Sequence, residues 1–573
     1  MPGRVEIHPT RRRVPPAVLR RSEGPVLKNH SMGERKMSAK RMHKMYLDGK
    51  TGRGPFYCDQ AGSKPNILLI SVDMVPQEFL LEDRATVPVR TPNLDALRRE
   101  GVLFRNSFST APLCSPSRAS YLTGRYSYIT ANAERGHDGH AVHLRDQDIL
   151  FPEYLKALGY RTRHSGKCHV GAGKFLEVFG ENDAPWDRWS PPWYDDEQYI
   201  SFLRGQDLDP IGFERTIHGR STVPGQRGNF YGGWIARQKG RPFPREATYP
   251  GYLVDRALSF LETDRPLYMQ LDFFAPHQPF AIPGGMEQRE AELRERMTLP
   301  ESYRALAEHG LRPPEGEPRV YGLYRKNWGL HEEQTLLDYR VANQLQFELI
   351  DEMLGRLFSG LRERGLYDSS WIVFLADHGE MNGELALIDK GAYLNPRVLR
   401  APLMIKPPKG VSFPGRGREI EETCSLLDLA PTILEICGIE TPERLDGWSL
   451  LETAGGGKRP EDKPLIFEVW HHVVPNPCVG TIFSASDGYL YSYVYNAADD
   501  RDELYRLGGT HEQDGPNCIA DSAMEKIRIE GIRKLTARME ADPRWFVYAQ
   551  YLRLEYAELL PSGSGDRQLF VGR

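Results

Sequence analysis

The residues best suited to chemistry lie in one stretch, Pro112-Leu113-Cys114-Ser115-Pro116-Ser117-Arg118-Ala119-Ser120-Tyr121-Leu122-Thr123-Gly124-Arg125. Its order reads as a loop running into a helix. Pro116 suits a first helical position, because it has no N–H to lose and its φ is preset. Ser117 to Leu122 continue the helix, and Gly124 suits its end. Cys114 then sits just ahead of a helix N-terminus, where unpaired N–H groups and the positive end of the dipole favour an anion. Arg118 adds a fixed positive charge about one turn on. These features leave two readings open. A lone Cys is commonly a small buried hydrophobe, and a helix start with an Arg also suits a low-pKa thiolate nucleophile.

Four other places carry groups of the right type. Residues 67–72 form an apolar run that reads as a buried strand of a parallel sheet, and Asp73 closes it. Open α/β sheets bind ligands at that end of their strands, although a cap on a helix or turn is the plainer role. Residues 371–376 form a second such run, ending in Asp377-His378-Gly379-Glu380. A hard oxygen beside an imidazole suits one metal ion. Lys390 follows thirteen residues after Asp377. In Ser165-Gly166-Lys167-Cys168-His169, the ammonium and imidazole share one face if the segment is a strand, whose side-chain period is two. His277, in Ala275-Pro276-His277-Gln278-Pro279-Phe280, sits in a proline-stiffened loop that can aim it. Gly136-His137-Asp138-Gly139-His140 lacks a spacing that fixes ligand geometry and reads as a surface loop.

Taken in order, these stretches resemble the type I, formylglycine-dependent sulfatases. Cys114-Ser115-Pro116-Ser117-Arg118 matches C-x-P-x-R. Residues 65–73 match P-N-I-L-x-I-x-x-D-D, with Met74 in place of the second Asp. Residues 159–169 match G-Y-x-T…G-K-x-H, residues 276–279 match P-H-x-P, and Asp377 to Lys390-Gly391 matches D-H-G-E…K-G. Residues 400–405 and 425–432 resemble the blocks that follow, and residues 502–507 resemble an E-L-Y-D-L turn. The resemblance implies the alkaline-phosphatase-like α/β fold. That is a large mixed-sheet sandwich with helices on both faces, plus a smaller C-terminal antiparallel sheet with a covering helix.

The resemblance also implies a mechanism. Cys114 is oxidised to formylglycine by a formylglycine-generating enzyme. Asp73, residue 114, Asp377 and His378 hold one divalent metal ion. A hydroxyl of the hydrated aldehyde attacks the sulfur of a small-molecule sulfate ester. Lys167 holds the sulfate, His277 and Lys390 meet the leaving oxygen, His169 takes the proton that frees the sulfate, and Arg118 offsets charge. Met74 and His378 stand where many members have Asp and Asn. That combination resembles the choline-sulfatase and phosphonate monoester hydrolase branch and moves the expected ion from Ca²⁺ toward Mn²⁺. A phosphonate monoester or phosphodiester hydrolase with the same nucleophile is the alternative, and a non-catalytic sulfate-ester-binding protein is a more remote one.

The scaffold that must position these groups is readable in outline. The chain has 573 residues, 40% of them hydrophobic and 27% charged, which is ordinary for a globular protein. The net charge of -4 calls for neither nucleic acid nor a membrane surface, and no apolar stretch approaches the ~20 residues of a membrane helix. The seven Cys show no C-x-x-C pair, which fits a reducing compartment. The first fifty residues hold 13 basic and 4 acidic side chains and no apolar signal core, so a cytoplasmic location is expected. Three regions follow: a basic, poorly ordered extension at 1–60, a catalytic α/β domain at 61–460, and a smaller α+β domain with a tail at 461–573. The tail at 545–560, and part of the extension, could order against a neighbouring subunit, which leaves a homo-oligomer through the termini open. Helices are expected at 93–100, 151–158, 334–361 and 524–539, and strands at 102–104, 267–274, 465–469, 479–484 and 489–495. Residues 184–250, rich in Trp, Pro, Gly and Tyr, read as insertion loops. They are a candidate substrate wall for a sugar, an aryl group or a quaternary ammonium.

Overall fold

A computed structural model describes residues 64–561, apart from short stretches at 82–84, 128–143, 146, 180–185, 189–190, 222–223, 236, 262–263, 461–462 and 510–511. The basic segment 1–60 and the loop at 136–140 lie outside the described residues.

The apolar run at 67–72 forms strand β1 (Asn66–Asp73), which lies inside a seven-stranded sheet. The others are β2 (Val102–Phe104), β3 (Arg161–Gly166), β4 (Leu267–Pro276), β5 (Ser370–Ala376), β6 (Leu403–Lys406) and β7 (Arg418–Ile420). Their spatial order is β7-β2-β6-β5-β1-β4-β3. Strands β5, β1, β4 and β3 run parallel, side by side. Strand β6 is antiparallel to both neighbours, so the sheet is mixed, as expected.

Both faces are covered, because alternate side chains of a strand point opposite ways. Leu68, Ile70, Val72, Ile372 and Phe374 join one core. The 31-residue helix Glu333–Glu363 covers it, presenting Leu345, Leu349 and Met353. Ile67, Leu69, Val373 and Leu375 join the other core, under helix Leu429–Ile436. A strand buried on both faces is why residues 67–72 and 371–376 are continuous apolar runs rather than alternating ones.

The smaller sheet is a meander of β8 (Ile466–His472), β9 (Val474–Ser484), β10 (Leu490–Asn496) and β11 (Glu503–Leu507). Residues 502–507, expected as a turn, form its last strand, because Glu503, Leu504 and Tyr505 are buried and pair with β10. One face packs under helix Glu525–Glu540. The other face packs on the large domain through Phe467, Val469, Cys478 and Val494, against Leu113 and Ala392. The tail helix Phe546–Glu555 packs on this domain of its own chain, through Tyr548, Ala549 and Leu552.

The segment 184–250 departs from the expected loops. Strands Phe213–His218 and Phe230–Ile235 pair with Phe280–Ile282 in a three-stranded sheet. Trp186 and Trp193 are buried in the core, and the Trp186 backbone pairs with the Gly166–Cys168 segment. The segment 165–169 also departs. Strand β3 ends at Gly166, which has φ 106°, and His169 has φ 52°, so Lys167 and His169 reach the site from a bent loop rather than from one strand face.

Gly166 is where the strand turns into that loop. A Cβ there would lie 2.0 Å from the Asp272 carbonyl oxygen, in a backbone conformation that L side chains rarely adopt. Gly166→Ala is therefore expected to lower stability by about 3 kcal/mol, measured as a fall in the urea midpoint, although it alters no chemically active side chain.

Candidate active site

Four neighbouring strand ends supply the site. Asp377 follows β5, Asp73 ends β1, His277 follows β4 and Lys167 follows β3. Parallel strands bring these ends to one edge, the place where α/β sheets bind ligands. Helix α1 (Cys114–Thr123) opens at the same edge. It begins two residues before the position expected from Pro116. Leu113 is the N-cap, so Pro116 is the third helical residue, where its missing N–H is also no loss. Gly124 closes the helix with φ 65°, as expected.

Cys114 is the first residue of α1 and fully buried. Its Sγ lies 3.3 Å from Asp73 Oδ1 and 3.3 Å from His378 Nε2. One donor atom each from Asp73, Cys114, Asp377 and His378 falls within 4.8 Å of the others. Burial and then the Asp73 carboxylate push the Cys114 thiol up to about 12. That setting opposes the thiolate reading left open by the sequence.

Arg118 binds the carboxylates together. Nε donates to Asp377 Oδ2 at 3.0 Å, Nη2 to Asp73 Oδ2 at 3.2 Å, and Nη1 to the Lys167 carbonyl at 2.9 Å. Lys167 Nζ lies 2.6 Å from Asp73 Oδ2. Burial alone would raise the Asp73 pKa. Lys167, His277, Arg118 and His378 outweigh that and hold the carboxyl well below its ordinary range. Met74 contributes its backbone in place of a side-chain carboxylate. Held at φ 58°, it donates its N–H to Asp377 Oδ1 at 3.0 Å.

His378 Nδ1 faces the Gly379 carbonyl at 2.8 Å, so it carries the proton and donates. Its Nε2 lone pair then faces Cys114 and the carboxylates, the tautomer a metal ligand needs. Burial, foremost, lowers its pKa and keeps the ring neutral. Two carboxylates, a neutral imidazole and residue 114 therefore fit a single divalent cation.

Facing this cluster are Lys390 and His277, with Lys390 Nζ 2.8 Å from His277 Nε2. Burial and then Lys390 lower the His277 pKa to about 3. Burial alone would lower the Lys390 pKa, but Asp389, Cys114 and Asp73 together outweigh it and hold the ammonium above its ordinary range. His169 is buried beside Lys167, and both burial and that ammonium lower its pKa, which leaves it neutral and able to accept a proton. The structure thus gathers Asp73, Cys114, Arg118, Lys167, His169, His277, Asp377, His378 and Lys390 at one edge of the sheet.

Sequence reasoning missed the groups that brace Lys390. Tyr324, on helix Arg319–Asn327, accepts the Ala392 N–H at 3.0 Å and donates to the His472 carbonyl. Asn476, on β9, donates to the Ala392 carbonyl at 2.7 Å. No spacing in the sequence links these three residues to Lys390. Asp389, by contrast, is its neighbour in the chain.

Fold and site together define a hydrolase-type centre at the sheet edge: a buried cluster of candidate metal ligands on one side and the Lys390 ammonium on the other. The sulfatase family model matches residues 65–439, and the chain belongs to that family, which makes it a sulfuric ester hydrolase. A second model, N-sulphoglucosamine sulphohydrolase, C-terminal, matches residues 383–540. The uncharacterized sulfatase YidJ of Escherichia coli is 27% identical over 403 residues, covering 68% of this chain and 71% of that protein. The choline-sulfatase of Rhizobium meliloti is 27% identical over 470 residues, covering 78% of this chain and 80% of that protein. The solved structure of a phosphonate monoester hydrolase from Silicibacter pomeroyi has the same fold, with a TM-score of 0.60, 22% identity, and coverage of 84% of this chain and 96% of that one.

Two outcomes follow from this geometry. Replacing Arg118 with Met leaves Asp73 and Asp377 as neighbouring buried carboxylates, and a loss of about 3–5 kcal/mol is expected in urea denaturation. Mn²⁺ added to metal-free protein at a hundredfold excess over Kd is expected to stabilise it by about 2.7 kcal/mol. Calorimetry should show that shift in the wild type and little of it in His378→Ala.

Proposed function

We propose that this chain is a formylglycine-dependent sulfatase that hydrolyses a small sulfate monoester with the aid of one divalent cation. The observation that carries the reading is the convergence of Cys114 with Asp73, Asp377 and His378 inside 4.8 Å, opposite the Lys390–His277 pair. A sulfate ester carries one negative charge, and on cleavage negative charge moves to the leaving oxygen. The cluster suits the sulfuryl end, and the Lys390 ammonium suits the leaving end.

In this reading Cys114 is the residue oxidised to formylglycine by a generating enzyme. The hydrated aldehyde would supply the attacking hydroxyl, and a bound divalent cation would lower the pKa of that hydroxyl and help orient the ester. Asp73, residue 114, Asp377 and His378 would hold the cation. The imidazole favours Mn²⁺ over Ca²⁺, because Ca²⁺ prefers a shell of oxygens alone. The chain's own side chains do the rest. Arg118 fixes both carboxylates by donating to each, and it helps hold the Asp73 carboxyl below its ordinary range. Lys167, 2.6 Å from Asp73, offers its ammonium to a sulfuryl oxygen. His169, neutral at physiological pH, accepts the proton whose loss releases sulfate. Lys390 stabilises the departing oxygen.

The test is the mass of the tryptic peptide spanning Cys114, from protein made with a formylglycine-generating enzyme. Conversion replaces sulfur by a carbonyl oxygen, so the mass falls by roughly 18 Da, whereas the ordinary oxidation ladder raises it. Material showing the fall is expected to hydrolyse aryl sulfates faster than aryl phosphonate monoesters, and Cys114→Ala is expected to do neither. A thiol that persists at residue 114 would sink the nucleophile assignment. Faster turnover of the phosphonates would move the substrate class instead.

A further inference from the structure

Lys390 does not stand alone at the leaving-group side. Its Nζ lies 2.8 Å from His277 Nε2 and 3.1 Å from Asp389 Oδ1. The other carboxylate oxygen, Asp389 Oδ2, accepts the Gln278 side-chain amide at 2.9 Å. The Gln278 backbone carbonyl in turn lies 2.5 Å from His277 Nδ1. These four contacts close a ring: Gln278 carbonyl, His277, Lys390, Asp389, Gln278 amide.

The direction of each bond is fixed by which groups can donate. His277 Nδ1 faces a carbonyl oxygen, so it carries the proton. An ammonium has donors only, so His277 Nε2 accepts from Lys390. A neutral imidazole has one donor and one acceptor, and both are used within the ring. Protonating it would break the bond from Lys390, and burial together with that ammonium opposes the charge. His277 therefore has no proton to give a leaving oxygen. Lys390 has three N–H bonds, of which the ring takes two.

We propose that Asp389 and Gln278 are positioning residues that lock the Lys390 ammonium in this ring, so that its third N–H meets the leaving oxygen while His277 acts as an acceptor and not as the acid. The ester chemistry in this inference rests on the sulfatase reading above. The backbone is shaped for the lock. Asp389 has φ 69°, its N–H donates to the buried Glu380, and its Oδ1 also accepts the Lys390 backbone N–H at 2.8 Å. A left-handed backbone at a non-glycine residue is strained, and it places this carboxylate against its own neighbour's ammonium. The ring joins the loop after β4 to the loop after β5, so the ammonium is fixed relative to both.

Two measurements test the ring, one of them independent of turnover. In protein carrying ¹⁵N-histidine, with the His277 signals assigned by His277→Gln, the wild type should show a protonated Nδ1 and a hydrogen-bonded Nε2. The Nε2 signal should move toward the free-imidazole position in Lys390→Met, and also in Asp389→Asn and Gln278→Leu. An Nε2 signal unmoved by the last two variants overturns the ring, whatever the activity. The second measurement is turnover of aryl sulfates whose leaving phenols span nitrophenol to phenol. Asp389→Asn should lose about 10²–10³-fold in kcat on phenyl sulfate, the usual cost of one displaced oxyanion donor, and only several-fold on nitrophenyl sulfate. Asp389→Glu should recover part of the loss. An equal loss on every ester would mean that Asp389 holds structure and does not aim the ammonium. A wild type that shows the histidine signature but hydrolyses no sulfate would refute the sulfatase reading and leave the ring standing.

Discussion

Asp73 and Asp377 are both fully buried at the ends of adjacent parallel strands, and two carboxylates so placed repel each other. Arg118 resolves the conflict by donating to both, while its third bond ties the Lys167 carbonyl to the same knot. Its planar fork can serve three acceptors at fixed angles, which a lysine cannot. The position of Arg118 is set in turn by α1, which is also what brings Cys114 to the carboxylates. One side chain thus fixes the helix that carries Cys114 relative to β1, β3 and β5. Behind it, Ser71 and His164 hold Asp272, whose Oδ1 lies 3.7 Å from Arg118 Nη1. The charge is compensated in layers, as burial of ions requires.

The second half of the site depends on the smaller domain. Its sheet packs against Leu113 and Ala392, the residues one before Cys114 and two after Lys390. The two loops that carry opposite ends of the chemistry therefore rest on one surface. Asn476 and the Tyr324–His472 contact then grip Ala392 from both its carbonyl and its amide. A loop held by its backbone at that point has little freedom two residues earlier, where the ammonium must stay in place. The smaller domain is thus a brace for the catalytic geometry and not an appendage.

The sequence made the parts built from continuous local pattern legible. Residues 67–72 and 371–376 announced central strands because burial on both faces removes polar positions. Gly124 announced a helix end because α1 closes on a left-handed residue. Groups at strand ends, such as Asp73 and Asp377, could be read because a strand terminus is itself a location. Lys167 and His169 were read as sharing a strand face, and the structure shows why that fails: Gly166 turns the backbone before either residue. The Trp-rich segment hid its two strands, because its Gly and Pro residues read as loop punctuation while Phe213–His218 and Phe230–Ile235 pair only with each other and with Phe280–Ile282. Tyr324, His472 and Asn476 had no signature, since their relation to Lys390 exists only after three separate elements have docked.

The same distribution of charge explains how the fold can precede its metal. Asp73 and Asp377 carry two negative charges, and Arg118 and Lys167 carry two positive ones. Lys390 is matched by Asp389. The side chains thus pair with one another without a cation, and Ser71, His164 and Arg118 hold Asp272 behind them, unlike a structural zinc site, whose ligands have little reason to converge without the ion. The pairing also separates the duties of the cations. Arg118, fully buried, donates to Asp73, Asp377, the Lys167 carbonyl and Ser71 and serves the fold, whereas the Lys390 ammonium spends two of its three N–H bonds on His277 and Asp389. The residue that holds the carboxylates together and the residue proposed to take up developing charge are therefore different residues.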